Sequence, residues 1–510
     1  MKRRITAIAM AAVLGGTAFG VGAAELRVGF TADALTLDPA NHRKRETETI
    51  IRNMYDGLVT RNASMEVVSE LAESWRAVDA TTYEFELREG VTFHDGTPLT
   101  AEDVRFTFER LTREGAMGGQ TSPRKSLLGP LTGVEVVGTR TVRLKLDSPW
   151  PILPAMLPFQ EIVSERFVKA VGDAALADQV NGTGPFKLVE WRKGDSVIME
   201  RFDGYYGGAA DIAPVGKACV DRVIFKIIPE NASRVAALLS GDVHIINELP
   251  AHSIKQVESN PGTRVMAVNG TRSSYIALNN QRKPFDDVRV RKALAHALDR
   301  QLIVDKILSG KATLIDGILS PDAFGKNRDL PAHAHDPAKA KALLAEAGYP
   351  DGVEATLDVD GAGKDIAEAI AAVASKGGFR IKVVVGEGST LTKRYRTKGE
   401  PIDGDMWLTS WGNGSLDPVG IFEPTHKTAA RGNASGYSNA EVDRLLDAAN
   451  IDTDRAARAR MYAEAEAIVN RDLPYVYLWV AQDLYGVSTK VSGWQPSADS
   501  RINLHDACVK

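Results

Sequence analysis

An α/β protein of two lobes, crossed more than once by the chain, is what this 510-residue sequence predicts. Strand patterns dominate the first half, helices joined by short strands take over from Pro284, and a strand returns at 475–480. A chain of this length is too large for one hydrophobic core and divides into two or three packed units.

The elements can be justified in order. A short strand at 26–30 runs into a loop closing on Leu37, Asp38 and Pro39, and a helical stretch follows through Ile50, Ile51, Met54 and Leu58. From 71 to 146 the pattern is strand-like around one helix. Tyr83, Phe85 and Leu87 alternate with Glu84, Glu86 and Arg88, the period of a half-buried strand. Asp95 and Gly96 supply a turn. Thr100 caps a helix with Glu102 and Asp103 in its first turn and Val104, Phe108 and Leu111 on its buried face. Residues 181–186, Asn-Gly-Thr-Gly-Pro-Phe, form a tight turn into another strand. The strand at 223–228 is apolar except for Lys226, and a helix capped at Asn231 and stopped at Gly241 comes next. In the second half, Asp286 or Asp287 caps a helix with Val290, Ala293, Leu294, Ala297 and Leu298 on one face. Asp336 and Pro337 start another, and Ser438 with Glu441 makes a capping box for a third.

Composition narrows the partners. With 44% hydrophobic and 25% charged residues the chain reads as an ordinary globular protein. Its net charge of −4, with no basic stripe or tail, argues against nucleic acid or an anionic membrane as the main partner. Lys2, Arg3 and Arg4, an apolar run over 5–14 and small residues up to Ala24 make a signal peptide of 1–24, cleaved before Glu25. That run is short for a membrane span and is followed by Gly15, Gly16 and Gly20. No cysteine lies near the cleavage point, so a free periplasmic protein is expected rather than a lipid-anchored one. Cys219 and Cys508 are the two cysteines; one bridge and two buried thiols are both open.

Catalytic signatures are missing: there is no G-x-S-x-G elbow, no H-E-x-x-H helix and no phosphate-binding glycine loop. His333 and His335 sit between prolines in a loop without a supporting ligand set. No enzyme, cofactor or metal is expected. Two stretches look like ligand-binding surface. In the first, a strand ends at Trp411 and is followed by Gly412, Asn413, Gly414, Ser415 and Asp417. An aromatic face beside exposed backbone donors suits a small-molecule cleft, and a core tryptophan before a surface turn is the alternative. In the second, Leu35 and Thr36 precede the run Asn41, His42, Arg43, Lys44, Arg45. Arg43 and Arg45 would recognise a carboxylate or phosphate, unless the run is a solvated helix end.

Several ordered motifs carry a family resemblance. They are Leu37-Asp38-Pro39, the segment 53–59 from Asn53 to Val59, Leu71-Ala72-Glu73-Ser74-Trp75, the string 93–106, Gly182-Thr183-Gly184-Pro185-Phe186, the segment 238–242 from Leu238 to Asp242, and 284–293. Their order resembles the bacterial extracellular solute-binding proteins of family 5, the peptide-, nickel- and opine-type receptors of ABC importers. The resemblance implies a type II two-lobe periplasmic binding protein fold with an extra β-rich subdomain in the first lobe. It places lobe I at 25–48, 183–270 and 472–510, the extra subdomain at 49–182 and lobe II at 271–471. It also implies a monomeric receptor that passes a small solute to inner-membrane permease subunits, with a chaperone or enzyme on the same fold as the competing class. In the dipeptide receptors of this family a carboxylate after the Trp411-like tryptophan holds the ligand ammonium, and an arginine holds its carboxylate. Here those places fall on Gly414 and Gly361. A peptide-like, opine-like or acidic amino-acid solute is the expectation, with an anion favoured over a plain dipeptide.

Overall fold

The computed structural model describes residues 24–208, 216–397 and 399–510. The expected signal peptide lies outside the described residues except for Ala24. An eleven-stranded sheet extends through both lobes, with Phe379–Val385 at one edge and Phe186–Arg192 at the other. Its centre is a pair of long antiparallel strands, Thr263–Leu278 and Tyr475–Ser488. Residues 263–269 pair with 488–482, residues 273–277 pair with 480–475, and the register breaks between Asn269 and Ser273. Gly270 stands in that break, where a Cβ would come within 2.9 Å of the Ala481 carbonyl oxygen. On one side of the break the strands bury Tyr275, Tyr475, Tyr477 and Trp479 in the second core. On the other they bury Tyr485 and Val487 in the first.

The extra subdomain has its own core. A four-stranded antiparallel sheet (Ala72–Asp79, Thr82–Leu87, Thr141–Leu146 and Leu131–Val136) is covered by the helix Ala101–Thr112. Phe85, Leu87, Val142 and Leu144 from the sheet meet Val104, Phe108 and Leu111 from the helix. Thr100 and Asp103 form a reciprocal capping box. Each core side chain of this kind contributes about 1.5–3 kcal/mol on burial.

Several sequence expectations shift. Glu230, not Asn231, caps the helix Asn231–Ser240, because its longer carboxylate accepts from both Ala232 N–H and Ser233 N–H. Asn439, not Ser438, caps Ala440–Ile451; Ser438 accepts from the Thr428 hydroxyl instead. Asp287 is the cap of Val288–Ala297. The first helix is only Arg45–Ile51, so Met54 and Leu58 lie beyond it. Residues 475–480 pack in the second core, so the return to lobe I comes at about 481 and not at 472. Likewise Ile50, Ile51, Met54, Tyr55, Val163, Val168 and Leu176 belong to the first-lobe core, so the subdomain is narrower than 49–182. Cys219 and Cys508 form a disulfide with a Cα–Cα distance of 5.1 Å, tying the terminal strand to the first lobe.

Candidate functional site

The strand Met406–Gly412 lies antiparallel to the crossing strand, with Trp411 opposite Ser273 and Gly412 opposite Arg272. This register delivers Trp411 to the crossing between the lobes. Its ring is half-buried, and the indole N–H donates to the Gly420 carbonyl (2.9 Å). One edge abuts Gly432, where a Cβ would meet the ring at 2.5 Å. Two guanidiniums share its faces, Arg431 at 4.8 Å and Arg396 at 5.0 Å from the ring centroid, within cation–π range. Trp411 is therefore neither a core residue nor a bare platform, but a fixed wall carrying two cations.

The loop after it closes on itself. Asn413 donates through its amide to the Asp417 carbonyl (3.0 Å) and accepts from the Ser415 hydroxyl (2.8 Å), while its backbone N–H donates to Thr271 (2.9 Å). Asp417 is buried and accepts from Arg458 (2.9 Å) and from Val419 N–H (3.2 Å). The side chains of Asn413 and Asp417 brace the loop rather than face the cleft, which corrects their expected place among the contacts. Gly412 and Gly414 present backbone. A Cβ on Gly412 would lie 3.2 Å from Arg272 Nη2, and one on Gly414 would lie 2.8 Å from Arg45 Nη2.

The basic run divides. His42 is buried against Arg124 and Glu48; burial first, then Arg124, pushes its pKa down to about 3, so it is neutral. Glu48 beside it also receives Arg501 (3.1 Å); burial would raise its carboxyl, but the Arg124 and Arg501 guanidiniums outweigh that and hold it well below the usual range. Arg43 is exposed and, among the described residues, donates only to neutral acceptors, the Pro123 carbonyl and the Ser126 hydroxyl, both at 3.0 Å. Arg45 makes no hydrogen bond or ion pair among the described residues and lies against Gly414. Leu35 is 65% exposed, with its N–H held by the Thr47 hydroxyl (3.0 Å). Thr36 is buried and accepts from Asp38 N–H (3.1 Å), so it braces the lip that carries Leu35.

Three guanidiniums escaped the sequence reading: Arg272 from the crossing strand, Arg396 at the end of Gly388–Arg396, and Arg431 beside Gly432. Each is a single arginine in an unremarkable stretch, and only the fold brings them to Trp411. Arg396 donates to the Tyr275 hydroxyl (3.2 Å) and stands 4.4 Å over the Trp407 ring; Arg272 reaches the Ser410 hydroxyl at 3.4 Å. None of Arg43, Arg45, Arg272, Arg396 and Arg431 makes an ion pair among the described residues. Arg61 joins the subdomain to the loop, donating to the carbonyls of Ser415 (2.8 Å) and Ala155 (2.9 Å). Between the segments 395–402 and 428–438 a cavity of about 440 Å³ opens beside Arg396 and Arg431, with Glu400, Thr428, Tyr437 and Ser438 in its lining. Unpaired guanidiniums beside exposed backbone and one aromatic wall suit recognition of carboxylates on a small solute. No group of three or more His, Cys, Asp or Glu suited to a metal occurs among the described residues, and no described helix is long and apolar enough to cross a membrane.

Paired strands crossing between two lobes, a β-rich subdomain on the first lobe and a walled cleft at the crossing define a type II two-lobe binding protein. Residues 66–433 match the model for bacterial extracellular solute-binding proteins, family 5 (middle region), and the chain belongs to that family. It is 26% identical over 487 residues to the glutathione-binding protein GsiB of Pectobacterium atrosepticum, covering 92% of this chain and 91% of that one. To the heme-binding protein A of Haemophilus influenzae it is 28% identical over 476 residues, 88% of this chain and 85% of that one. Among solved structures, HbpA2 from Haemophilus parasuis superposes with a TM-score of 0.86 at 26% identity, over 95% of this chain and 100% of that one. These relatives are periplasmic binding proteins of ABC importers, and this chain is a solute-binding receptor of the same kind. The comparisons give a chaperone or enzyme reading no support.

Proposed function

We propose that the receptor, exported to the periplasm and acting as a monomer, binds an acidic, peptide-like or opine-like solute and hands it to its permease subunits. The observation that carries this reading is the set of arginines at and near the Trp411 loop, Arg43, Arg45, Arg272, Arg396 and Arg431, none of which makes an ion pair among the described residues, with glycine at 414 where the dipeptide receptors place a carboxylate. These guanidiniums are exposed or half-buried with N–H groups free to form two parallel bonds to a carboxylate, so an anion is the fitting guest and an ammonium is not. The relatives' names support the same chemistry: glutathione carries two carboxylates, and so does heme through its propionates.

Arg43 and Arg45 come from lobe I, while Arg272, Arg396 and Arg431 come from the lobe II side of the crossing. A solute touching both sets binds the closed form better than the open one, and only that difference shifts the population. Micromolar affinity needs about 8 kcal/mol. Charge-assisted hydrogen bonds contribute roughly 1.5–3 kcal/mol each, so four or five such contacts suffice. Calorimetry with matched acidic, neutral and basic tripeptides tests the reading. Acidic peptides should bind most tightly; tight binding of an unmodified neutral dipeptide, indifferent to Arg43→Ala with Arg45→Ala, would overturn it.

A further inference from the structure

The cavity between the segments 395–402 and 428–438 is walled by one lobe. Its described lining runs from Gln281 to Ser438, and neither Gly361 nor Gly414, where the dipeptide receptors hold the charged ends of their ligand, belongs to it. Its volume of about 440 Å³ falls within the roughly 300–1,000 Å³ of small-molecule sites. Hydrogen bonds fix the 428–438 wall. Thr428 donates through its N–H to Asp443 (2.9 Å) and through its hydroxyl to Ser438 (3.0 Å), and Gly432 N–H donates to the Pro424 carbonyl (2.8 Å). The Asn433 amide donates to the carbonyls of Tyr437 (2.7 Å) and Lys427 (3.2 Å). Ala429 in this wall has φ of 56°, a left-handed conformation that a side chain disfavours and that the surrounding bonds maintain. Two cations line the cavity and also reach Trp411. Arg396 lies 4.4 Å over the Trp407 ring and 5.0 Å over the Trp411 ring, and its Nη2 donates to the Tyr275 hydroxyl (3.2 Å). Its Nη1 has no protein acceptor among the described residues. Arg431, 4.8 Å over Trp411, makes no hydrogen bond or ion pair among them.

We propose that this cavity receives one end of the solute: a carboxylate pairs with Arg396 and Arg431 beside Trp411, and a compact hydrogen-bonding group of amino-acid size fills the space behind it. This assignment rests on the acidic-solute reading and deepens it. Packing against two indoles orders the Arg396 guanidinium in advance, so little freedom is lost when it takes a carboxylate. Glu400 is the one carboxylate among the described lining residues, and it makes no ion pair there. A second anion in the cavity would meet that charge, whereas an N–H donor finds acceptors in Glu400 and in the Thr428 and Ser438 hydroxyls. The inserted end therefore carries one carboxylate beside N–H donors, as a terminal peptide residue does. An extended planar acid such as heme would not enter. Because one lobe supplies every described wall, the pocket is complete before the lobes close. The solute docks there first, and closure follows when its other end meets the arginines of lobe I.

Cys219 and Cys508 are joined to each other, so Ala430→Cys places a single free thiol in the cavity lining. Saturating S-methylglutathione, an acidic tripeptide without a thiol, should slow alkylation of that thiol by iodoacetamide about tenfold or more, since a pocket covers most of its occupant. An unchanged rate, in a protein that binds the tripeptide by calorimetry, would overturn the pocket and leave the acidic-solute reading standing. If a neutral or basic tripeptide binds and the acidic one does not, the acidic-solute reading fails. Protection of the thiol by that other tripeptide would still place the solute in the cavity, and its absence would overturn the pocket too. Ala430→Trp, which fills the space, should weaken the bound tripeptide about tenfold or more at an unchanged melting temperature; parental affinity in this variant would overturn the pocket. Arg396→Gln should weaken it roughly 10- to 100-fold, the weight of one charge-assisted contact. Hemin should leave the alkylation rate unchanged, and protection by hemin would overturn the size assigned to the inserted end.

Discussion

Gly414→Asp puts the charge logic of the cleft to the most direct test. The backbone at Gly414 is outside the left-handed region, so a side chain is tolerated there without strain. Its Cβ would stand 2.8 Å from Arg45 Nη2 and 3.5 Å from the Phe159 ring. The nearer obstacle is the end of a flexible side chain, which can yield by a few tenths of an ångström. The new carboxylate would then lie about 4 Å from the guanidinium. At that separation two unit charges interact by about 1 kcal/mol in water and about 4 kcal/mol in the partly screened setting of a protein surface. The substituted side chain takes Arg45 for itself and repels the solute carboxylate as well.

An acidic solute should therefore bind roughly 5- to 1,000-fold more weakly, at 1.4 kcal/mol per decade. Gly414→Asn supplies the control, having the same size without the charge, and should cost far less. Titration calorimetry at two ionic strengths is the assay, because the gap between the Asp and Asn variants should shrink as the Debye length falls toward about 3 Å at 1 M salt. Equal losses in the two variants would mean that Gly414 is a matter of space, and the electrostatic argument would be wrong.

Other consequences can be measured directly. Trp411→Ala should weaken solute binding by more than about tenfold, as loss of a buried aromatic anchor does, with the fold retained; a lower melting temperature at unchanged affinity would make it a packing residue instead. Replacing Cys219 and Cys508 by serine removes a cross-link spanning 289 residues; loop entropy sets a ceiling of about 6 kcal/mol on the loss, read in chemical denaturation, and solute affinity should hold. Asp56 is a pH-sensitive group of lobe I: burial, then Glu70, pushes its carboxyl up to about 8, far above the ordinary carboxylate range. The folded state thus keeps a proton that the unfolded chain releases, so stability should fall as pH rises from about 4 to about 8. Asp56→Asn should flatten that slope, and an unchanged slope in pH-dependent denaturation would show that Asp56 is already ionised in the fold.

Short-range signals in the sequence carried the architecture well. The alternation at 83–87, the Thr100 cap, the strand-end at Trp411 and the ordered family motifs each depend on residues within a few positions of one another, where local geometry decides the outcome. Caps slipped by one position at Asn231 and Ser438 because a neighbouring Glu230 or Asn439 reaches the same N–H groups equally well. The lobe boundaries slipped for a different reason. A strand such as Tyr475–Ser488 looks uniform along its length, and only pairing with Thr263–Leu278 shows which half lies in which core.

The binding surface obeys other rules. In the loop after Trp411, Asn413, Ser415 and Asp417 are the polar side chains that composition points to, yet they are used up in holding the loop rigid. Such internal bonding pre-organises the backbone of 412–414 at the cost of those groups as ligands. On the proposed acidic-solute reading, recognition then falls to side chains delivered by other elements: Arg45 from the first helix, Arg272 from the crossing strand, and Arg431 from the loop facing the Trp411 ring. Arg45 and Gly414 meet across the width of the cleft, and nothing local to either position marks the encounter. The scaffold is thus written in contiguous residues, whereas the charge proposed to select the solute depends on which distant arginines the fold brings together. Relatives that share the fold can therefore differ in solute through a handful of such positions, Gly414 foremost among them here.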